Sequence, residues 1–247
     1  HFLGIFGLAQ TLSFMGRTEP LTIYGPEWVT EVAAAVKSLA RYNIRFPVIP
    51  VELRPGSAVR FEGYTVRAFG TDHGMAGLGY VLCEDPRPGR FDRQKAIDLG
   101  VPPGPLFGRL QRGETVRVVR DGDTREVCPD EVMGPPRPGR KIVYTGDTRP
   151  VHSRIADVAG GADLLIHDAT YDDSARDRAE EVLHSTAGEA GEAAAFLGAG
   201  TLALVHISSR YTTVAGHMRD AQARFMGRVI IPSDLEMIEI PYKDSRE

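Results

Sequence analysis

The sequence contains little cysteine and no long hydrophobic run. Its 247 residues include two cysteines, Cys83 and Cys128, which fit neither a metal-binding cysteine motif nor a disulfide framework. No stretch approaches the roughly 18 to 20 apolar residues that a membrane-spanning helix needs, and the residues present show no signal-peptide pattern. These absences favour a cytoplasmic protein without a membrane partner.

A strong excess of one charge is also absent. The formal net charge of −4 argues against a dedicated nucleic-acid binder, and the 42% apolar content suffices for a sizeable core. The charge is uneven, because residues 85–113 carry six basic and three acidic side chains, a net of +3 that leaves −7 elsewhere. A basic segment on an acidic body indicates either an anion-binding region or a solvated loop with scattered arginines.

The same segment is rich in glycine and proline. A short helix-compatible run, QKAIDL at 94–99, lies between EDPRPGRFDR at 84–93 and GVPPGPLFGRLQRG at 100–113. We predict that this segment forms no packed core and projects as an arm from a single domain that spans residues 1–247.

Apolar spacing predicts the secondary structure on both sides of this arm. Residues 2–15 have helical spacing and predict a buried helix, and a strand–helix unit followed by further strands is predicted up to residue 83. From residue 141 onward, predicted strands and helices alternate, with a capping box of Thr186 and Glu189 at the start of one helix. The alternation predicts an α/β fold with parallel strands covered by helices.

Three of the predicted strands end in residues that can bind metals. The run KIVY at 141–144 leads to Asp147, a second run ends at His167 and Asp168, and a third ends at His206. Because the working groups of open α/β sheets lie at the carboxyl ends of the strands, we expect these side chains to meet at one edge.

His73 joins this set because it lies in a turn-rich loop just past another predicted strand. Histidine binds zinc through a ring nitrogen and aspartate binds it through oxygen, and a carboxylate can bridge two metals. We therefore predict that His73, Asp147 and His206 form a zinc site with Asp147 as the bridge. Such a site is typical of a hydrolase that activates water against a phosphorus or carbonyl centre.

Three motifs identify a family. GDTRP at 146–150, HSTAGEA at 184–190 and HISSRY at 206–211 resemble, in that order, the later motifs of ribonuclease Z, the tRNA 3′-processing endonucleases of the metallo-β-lactamase superfamily. Residues 2–26 resemble the segment after that family's metal motif, and residues 100–110 resemble its Gly-Pro-rich arm. The resemblance covers nearly the whole chain and implies an αββα sandwich of the metallo-β-lactamase fold.

The resemblance also implies that N-terminal strands are missing from this chain. The family's first motif reads His-x-His-x-Asp-His, and its last histidine would fall on His1. The resemblance assigns His73 to the first zinc ion, His1 and His206 to the second, and Asp147 to both. The rest of the motif, including the general base, would lie upstream, so we expect this chain alone to bind metal poorly and to be weakly active or inactive.

His184 matches the histidine that the family places near the scissile phosphate as a proton donor to the leaving oxygen. His167 and Asp168 fall where the family commonly has His-Glu. They are expected to hold the metal ligands in orientation.

Four polar residues near the strand ends have two roles open to them. Ser208 and Arg210, like Thr148 and Arg149, are expected either to contact phosphate or to shape a turn.

The resemblance implies that the arm binds tRNA. Its arginines, among them Arg109 and Arg112, would pair with tRNA phosphates and make binding depend on salt. Family members bind the tRNA elbow with this arm, often across a homodimer.

These observations predict a zinc-dependent endoribonuclease that removes the 3′ trailer from tRNA precursors by attack of metal-activated water. Two alternatives stay open. One is another hydrolase of the same fold, such as a phosphodiesterase, sulfatase or lactonase, and the other is a fragment that binds tRNA without cutting it.

Overall fold

The computed structural model of the chain describes residues 2–39, 44–120 and 123–243. Within these ranges the chain forms two compact units. The first unit comprises the described parts of residues 1–83 and 141–247, and the second comprises those of residues 84–140.

Helices and strands are numbered along the chain. The helices are α1 (Gly4–Phe14), α2 (Val29–Leu39), α3 (Arg93–Asp98), α4 (Pro105–Gln111), α5 (Pro129–Val132), α6 (His152–Ala159), α7 (Arg176–Glu181), α8 (Ala187–Leu197) and α9 (Ala215–Gln222). The strands are β1 (Leu21–Gly25), β2 (Val48–Glu52), β3 (Ala58–Phe61), β4 (Tyr64–Gly70), β5 (Leu78–Glu84), β6 (Val116–Arg120), β7 (Asp123–Val127), β8 (Lys141–Tyr144), β9 (Leu164–Asp168), β10 (Thr201–Val205) and β11 (Arg228–Ile230).

The first unit contains a seven-stranded sheet in the order β11-β10-β9-β8-β5-β4-β3. Strands β8 to β11 run parallel to one another, and β5 lies antiparallel to β8. β3 and β4 form a hairpin whose turn is Glu62 and Gly63, and Gly63 has a φ of 82°. The predicted alternation of parallel strands and helices is therefore confirmed.

Helix α8 forms much of the core of the first unit. It packs against α6 and α9 and contacts β9 and β10. Eight of its eleven residues are buried, because its sequence AGEAGEAAAFL has small residues on every side. A Cβ atom on Gly191 would lie 2.6 Å from the carbonyl oxygen of Ala221, so this glycine allows α9 to approach closely. The predicted capping box of Thr186 and Glu189 forms at the start of α8.

Helix α1 is present where the sequence predicts it, but it is not a buried helix. Ala9 is its one fully buried residue, whereas Phe14 is 95% exposed and Leu8 is 52% exposed. Ile5 and Leu12 pack against a small core with α2, β1 and β2. The prediction of burial is wrong because the apolar residues are spread around the helix, and among the described residues only one side of it has packing partners.

The second unit, residues 84–140, has a hydrophobic core of its own. Strands β6 and β7 form an antiparallel hairpin, and helices α3, α4 and α5 accompany it. The core residues come from these elements and the turn after α3: Ala96, Val101, Leu110, Val116, Val118, Val127 and Val132. The prediction that residues 85–113 form no packed core is therefore wrong. That this unit acts as a projecting arm of a single domain stays a prediction.

Two features of the sequence explain this core. Pro105 lies in the first turn of α4, where a proline need not donate a hydrogen bond, and Gly104 before it has a φ of 150°. Val116 and Val118 are buried at alternate positions of β6. Over residues 84–140, eleven basic and ten acidic side chains leave a net charge of only +1, so the basic excess of residues 85–113 is balanced within the same unit.

None of the helices in the described ranges is both long enough and apolar enough to cross a lipid bilayer.

Candidate metal centre

Three adjacent parallel strands bring their carboxyl ends to one edge of the sheet. β8 is followed by a turn at Gly146, whose φ is 64°, and then by Asp147. β9 itself ends at Asp168, and β10 is followed by His206. His206 has a φ of 63°, a conformation that costs a non-glycine residue about 1–3 kcal/mol and is found most often at functional sites.

Four residues form a cluster that could hold a metal ion. Asp147, Asp168, His184 and His206 each offer a ligand atom, and these atoms all lie within 4.8 Å of one another. His206 Nε2 lies 3.7 Å from Asp147 Oδ2. The rings of His184 and His206 stack with their centroids 5.0 Å apart. The structure thus brings together Asp147 and His206, as the strand ends predict, with His184 beside them. We call this group the four-residue cluster.

His73 lies next to the four-residue cluster but is not part of it. Its ring contacts the ring of His184, with the centroids 4.6 Å apart. His73 Nδ1 lies 2.8 Å from the carbonyl oxygen of Leu183. A carbonyl only accepts, so Nδ1 carries the hydrogen and Nε2 keeps the lone pair that a metal ligand needs. Leu183 has a φ of 59°, so a strained turn presents this carbonyl.

The predicted ligand His1 lies outside the described residues, and its role stays a prediction.

Asp168 is a fully buried carboxylate surrounded by donors. It accepts hydrogen bonds from the main-chain N–H groups of Thr148 and Thr170, over 3.0 and 2.9 Å, and from the Thr170 hydroxyl over 2.7 Å. His184 Nδ1 lies 2.8 Å from its Oδ2. Burial opposes the charged form, but the hydrogen bonds from His184, Thr170 and Thr148 outweigh it and keep the pKa of Asp168 below its usual value. The contact with Asp168 in turn raises the pKa of His184, against the opposite effect of burial.

His167, beside Asp168 in the sequence, is not in the four-residue cluster. It is 1% exposed, and its Nδ1 lies 2.7 Å from the main-chain carbonyl oxygen of Asp168. Burial lowers the pKa of His167, which favours the neutral ring. His167 thus contacts the main chain of Asp168, whereas His184 contacts the carboxylate of Asp168.

A buried ion pair connects two of the sequence motifs. The guanidinium of Arg149, from GDTRP, donates to both carboxylate oxygens of Glu189, from HSTAGEA, over 2.8 and 2.7 Å. Arg149 also donates to the main-chain carbonyl oxygen of His184 over 2.6 Å. Glu189 is recognisable in the sequence as half of a capping box, but its pairing with Arg149 across 40 residues leaves no local signal. Arg149 thus has contacts within the chain, and a contact of Arg149 with phosphate stays a prediction.

The other predicted substrate-binding residues are dispersed. Ser208 and Arg210 follow His206, and the Arg210 guanidinium lies 5.0 Å from the centre of the Tyr171 ring. In the second unit, Arg109 and Arg112 both bind Glu114, over 2.9 and 3.1 Å. These arginines are exposed and already have an acidic partner.

His217 differs from what its sequence context suggests. It reads as an ordinary polar residue, but it is fully buried. Its ring packs edge-on against Tyr211 of the HISSRY motif at 4.5 Å.

Comparisons with known proteins agree with this geometry. The family model of the beta-lactamase superfamily domain matches residues 115–207. Ribonuclease Z of Methanosarcina acetivorans is 49% identical over 243 residues, which span 98% of this chain and 78% of that protein. Ribonuclease Z of Halorubrum lacusprofundi is 50% identical over 249 residues, which span 100% of this chain and 79% of that protein. The crystal structure of the short form of human tRNase Z matches with a TM-score of 0.63 at 24% identity, over 98% of this chain and 75% of that chain.

The fold and the four-residue cluster define an enzyme of the metallo-β-lactamase fold whose histidines and aspartates fit a divalent metal ion. With identities near 50% over almost its whole length, the chain belongs to the ribonuclease Z family. It is therefore a metal-dependent nuclease, and the family predicted from the three motifs is confirmed.

Proposed function

We propose that this protein is a zinc-dependent endoribonuclease that removes the 3′ trailer from tRNA precursors. The observation that carries the proposal is that GDTRP, HSTAGEA and HISSRY, far apart in the sequence, each contribute a side chain to one cluster: Asp147, His184 and His206. Relatives about 50% identical to this chain are ribonucleases Z, and one of its structural neighbours is the short form of human tRNase Z.

We propose that the site holds two zinc ions. We assign His73 to one ion, His1 and His206 to the other, and Asp147 to both. Imidazole nitrogen and carboxylate oxygen are ligands that zinc prefers, and the contact of His73 Nδ1 with Leu183 leaves its Nε2 available. When bound, the ions supply activation of water and stabilisation of charge on the phosphate oxygens.

His184 is the proposed proton donor to the leaving oxygen. Asp168 binds its Nδ1–H and favours the protonated ring, so Nε2 can present a proton to a group in the cleft. Arg149 supports this position from the other side because it binds the main-chain carbonyl oxygen of His184. Asp168 would thus hold His184 in orientation, and we assign a supporting role to His167, which contacts the main chain of Asp168.

Substrate contacts are proposed at two places. Ser208 and Arg210, next to His206, would bind the phosphate at the cleavage site, and Arg109 and Arg112 would bind other phosphates of the tRNA. Since Arg109 and Arg112 pair with Glu114, tRNA must compete with that carboxylate, which makes binding sensitive to salt.

We also propose a cytoplasmic homodimer, as the resemblance implies. Sedimentation equilibrium of the full-length gene product tests the oligomeric state, and a monomer at assay concentration would reject the dimer.

The decisive experiment uses the full-length gene product with a 3′-extended tRNA precursor and Zn²⁺. Cleavage after the tRNA body, lost in Asp147→Ala, is the expected result. A small phosphodiester, bis(p-nitrophenyl) phosphate, is assayed in parallel. Hydrolysis of the small ester without tRNA cleavage would favour a different hydrolase of this fold, and tRNA binding without any hydrolysis would favour the non-catalytic alternative.

The role of the second unit needs point substitutions, because deletion of residues 85–113 would remove α3, α4 and part of the core. Arg109→Gln with Arg112→Gln should weaken tRNA cleavage and spare the small ester. Arg117→Gln, which removes another exposed arginine of this unit that pairs with a glutamate, is the matched control. Equal effects on both substrates would contradict the assignment.

A further inference from the structure

The hydroxyl of Thr170 contacts three members of the four-residue cluster at once. Thr170 Oγ1 lies 2.7 Å from Asp168 Oδ1, 2.7 Å from His206 Nδ1 and 3.1 Å from His184 Nδ1. Its main-chain N–H also donates to Asp168 Oδ1 over 2.9 Å, which holds the residue against the carboxylate. Thr170 is only 5% exposed, so water competes little for these contacts.

One arrangement of protons satisfies these contacts. A threonine hydroxyl has one hydrogen and two lone pairs, whereas an ionised carboxylate only accepts. The hydroxyl hydrogen therefore goes to Asp168, and Oγ1 accepts from His206 Nδ1–H. His184 Nδ1, which is 2.8 Å from Asp168 Oδ2, must carry a hydrogen for the same reason.

This arrangement determines which ring nitrogen of His206 can act as a ligand. When Nδ1 of a neutral histidine carries the hydrogen, Nε2 has the lone pair. Nε2 of His206 is the atom that lies 3.7 Å from Asp147 Oδ2, within the four-residue cluster. The two stacked rings are 16° from parallel, and Thr170 contacts the Nδ1 atoms of both. A single hydroxyl thus contacts both His206, a proposed metal ligand, and His184, the proposed proton donor.

We propose that Thr170 is a positioning residue whose hydroxyl fixes His206 and His184 with Nδ1 protonated, so that His206 offers Nε2 to the metal and His184 offers Nε2 to the leaving group. The identities of the metal and of the leaving group rest on the proposed function. The proton arrangement does not rest on the proposed function, because it can be measured without RNA.

The test compares Thr170→Val, which keeps the shape and removes the hydroxyl, with Thr170→Ser, which keeps the hydroxyl. Long-range 1H–15N spectra of the protein without added metal distinguish the protonated from the unprotonated ring nitrogen of each histidine. His206→Asn identifies the His206 signals. We expect His206 to be protonated at Nδ1 in the wild type and in Thr170→Ser, and to mix both tautomers in Thr170→Val.

Zinc titration supplies the second measurement. Loss of an orienting partner typically weakens metal binding by about 10–100-fold, so Thr170→Val should show a loss of that size and Thr170→Ser should stay within about 3-fold of the wild type. If Thr170→Val does not fold, Thr170→Ala, which also lacks the hydroxyl and adds no metal ligand, takes its place in both measurements.

Two results would overturn the proposal: an unchanged His206 tautomer in Thr170→Val, or a loss of zinc affinity in Thr170→Ser as large as in Thr170→Val. Absence of tRNA cleavage by the wild type would instead reject the proposed function, and it would leave the tautomer comparison intact.

Discussion

The two units of the molecule use the same pair of side chains, arginine and glutamate, in opposite surroundings. In the second unit, the Arg117–Glu126 pair has side chains that are 77% and 56% exposed. In the first, the Arg149–Glu189 pair has side chains that are 16% and 5% exposed, and Arg149 also binds the carbonyl oxygen of His184. Solvent screens the exposed Arg117–Glu126 pair, whereas removal of one partner from the Arg149–Glu189 pair leaves a buried charge. The difference teaches that burial, not the pairing itself, decides what an ion pair contributes.

Helix packing shows the same contrast. A Cβ atom on Gly191 of α8 would meet main-chain atoms of α9, which cannot move independently. A Cβ atom on Gly108 of α4 would meet only the end of the Arg112 side chain, at 3.4 Å. Helices α8 and α9 of the first unit are thus packed too closely to accept a larger residue at Gly191, whereas α4 of the second unit can accept a Cβ atom at Gly108.

The largest expected effect comes from Arg149→Met. It leaves buried Glu189 with Arg176 as its remaining cationic partner and should lower the free energy of unfolding by up to about 3–5 kcal/mol. Arg117→Met, the same change in the exposed pair, should cost about 0–1 kcal/mol. Urea unfolding of both variants measures the difference, and equal losses would remove the contrast between the two units.

Core truncation tests whether the second unit has an independent core. Leu110→Ala and Leu165→Ala each remove a side chain that is 0% exposed, one in each unit, and each should cost about 2–5 kcal/mol. Hydrogen exchange should rise within residues 84–140 for Leu110→Ala and within the first unit for Leu165→Ala. A rise throughout the chain in both variants would mean that the units unfold together.

The glycine contrast predicts changes of opposite sign. Gly191→Ala forces α8 and α9 apart and should destabilise the protein by about 1–3 kcal/mol. Gly108→Ala improves helix propensity without a main-chain clash and should stabilise α4 by about 0.5–1 kcal/mol. Thermal unfolding monitored by circular dichroism checks both signs. Destabilisation by Gly108→Ala would show that α4 is packed as tightly as α8.

The smallest expected effect concerns the Glu84–Arg140 pair of the second unit. The hydrogen bond from Arg140, despite some burial, holds the pKa of Glu84 below its usual value. Its stabilisation is therefore present above the unfolded pKa of about 4.3 and is lost as pH falls through the lower folded value. Glu84→Gln should cost up to about 1 kcal/mol near pH 7, and its difference from the wild type should shrink in acid. A difference that stays constant down to about pH 2 would contradict this assignment.

The sequence predicted the metal centre better than it predicted the second unit. Short apolar runs placed β8, β9 and β10, and parallel strands necessarily bring Asp147 and His206 to one edge. In the second unit, Gly104 and Pro105 read as breakers although they open helix α4. The core of this unit also needs Val127, which pairs with Val116 across a hairpin that the sequence did not indicate.

The apolar runs of the three strands, the metal-binding residue types at their ends, the helix cap at Thr186 and the family were determined by the sequence alone, because each depends on local spacing or on a short motif. The Arg149–Glu189 pair, the contact of His73 with Leu183 and the three contacts of Thr170 were decided only by the tertiary structure. The physical reason is that hydrogen bonds are directional and short-ranged. Their partners lie up to 110 residues apart, so they exist only once packed helices and strands fix where each side chain points.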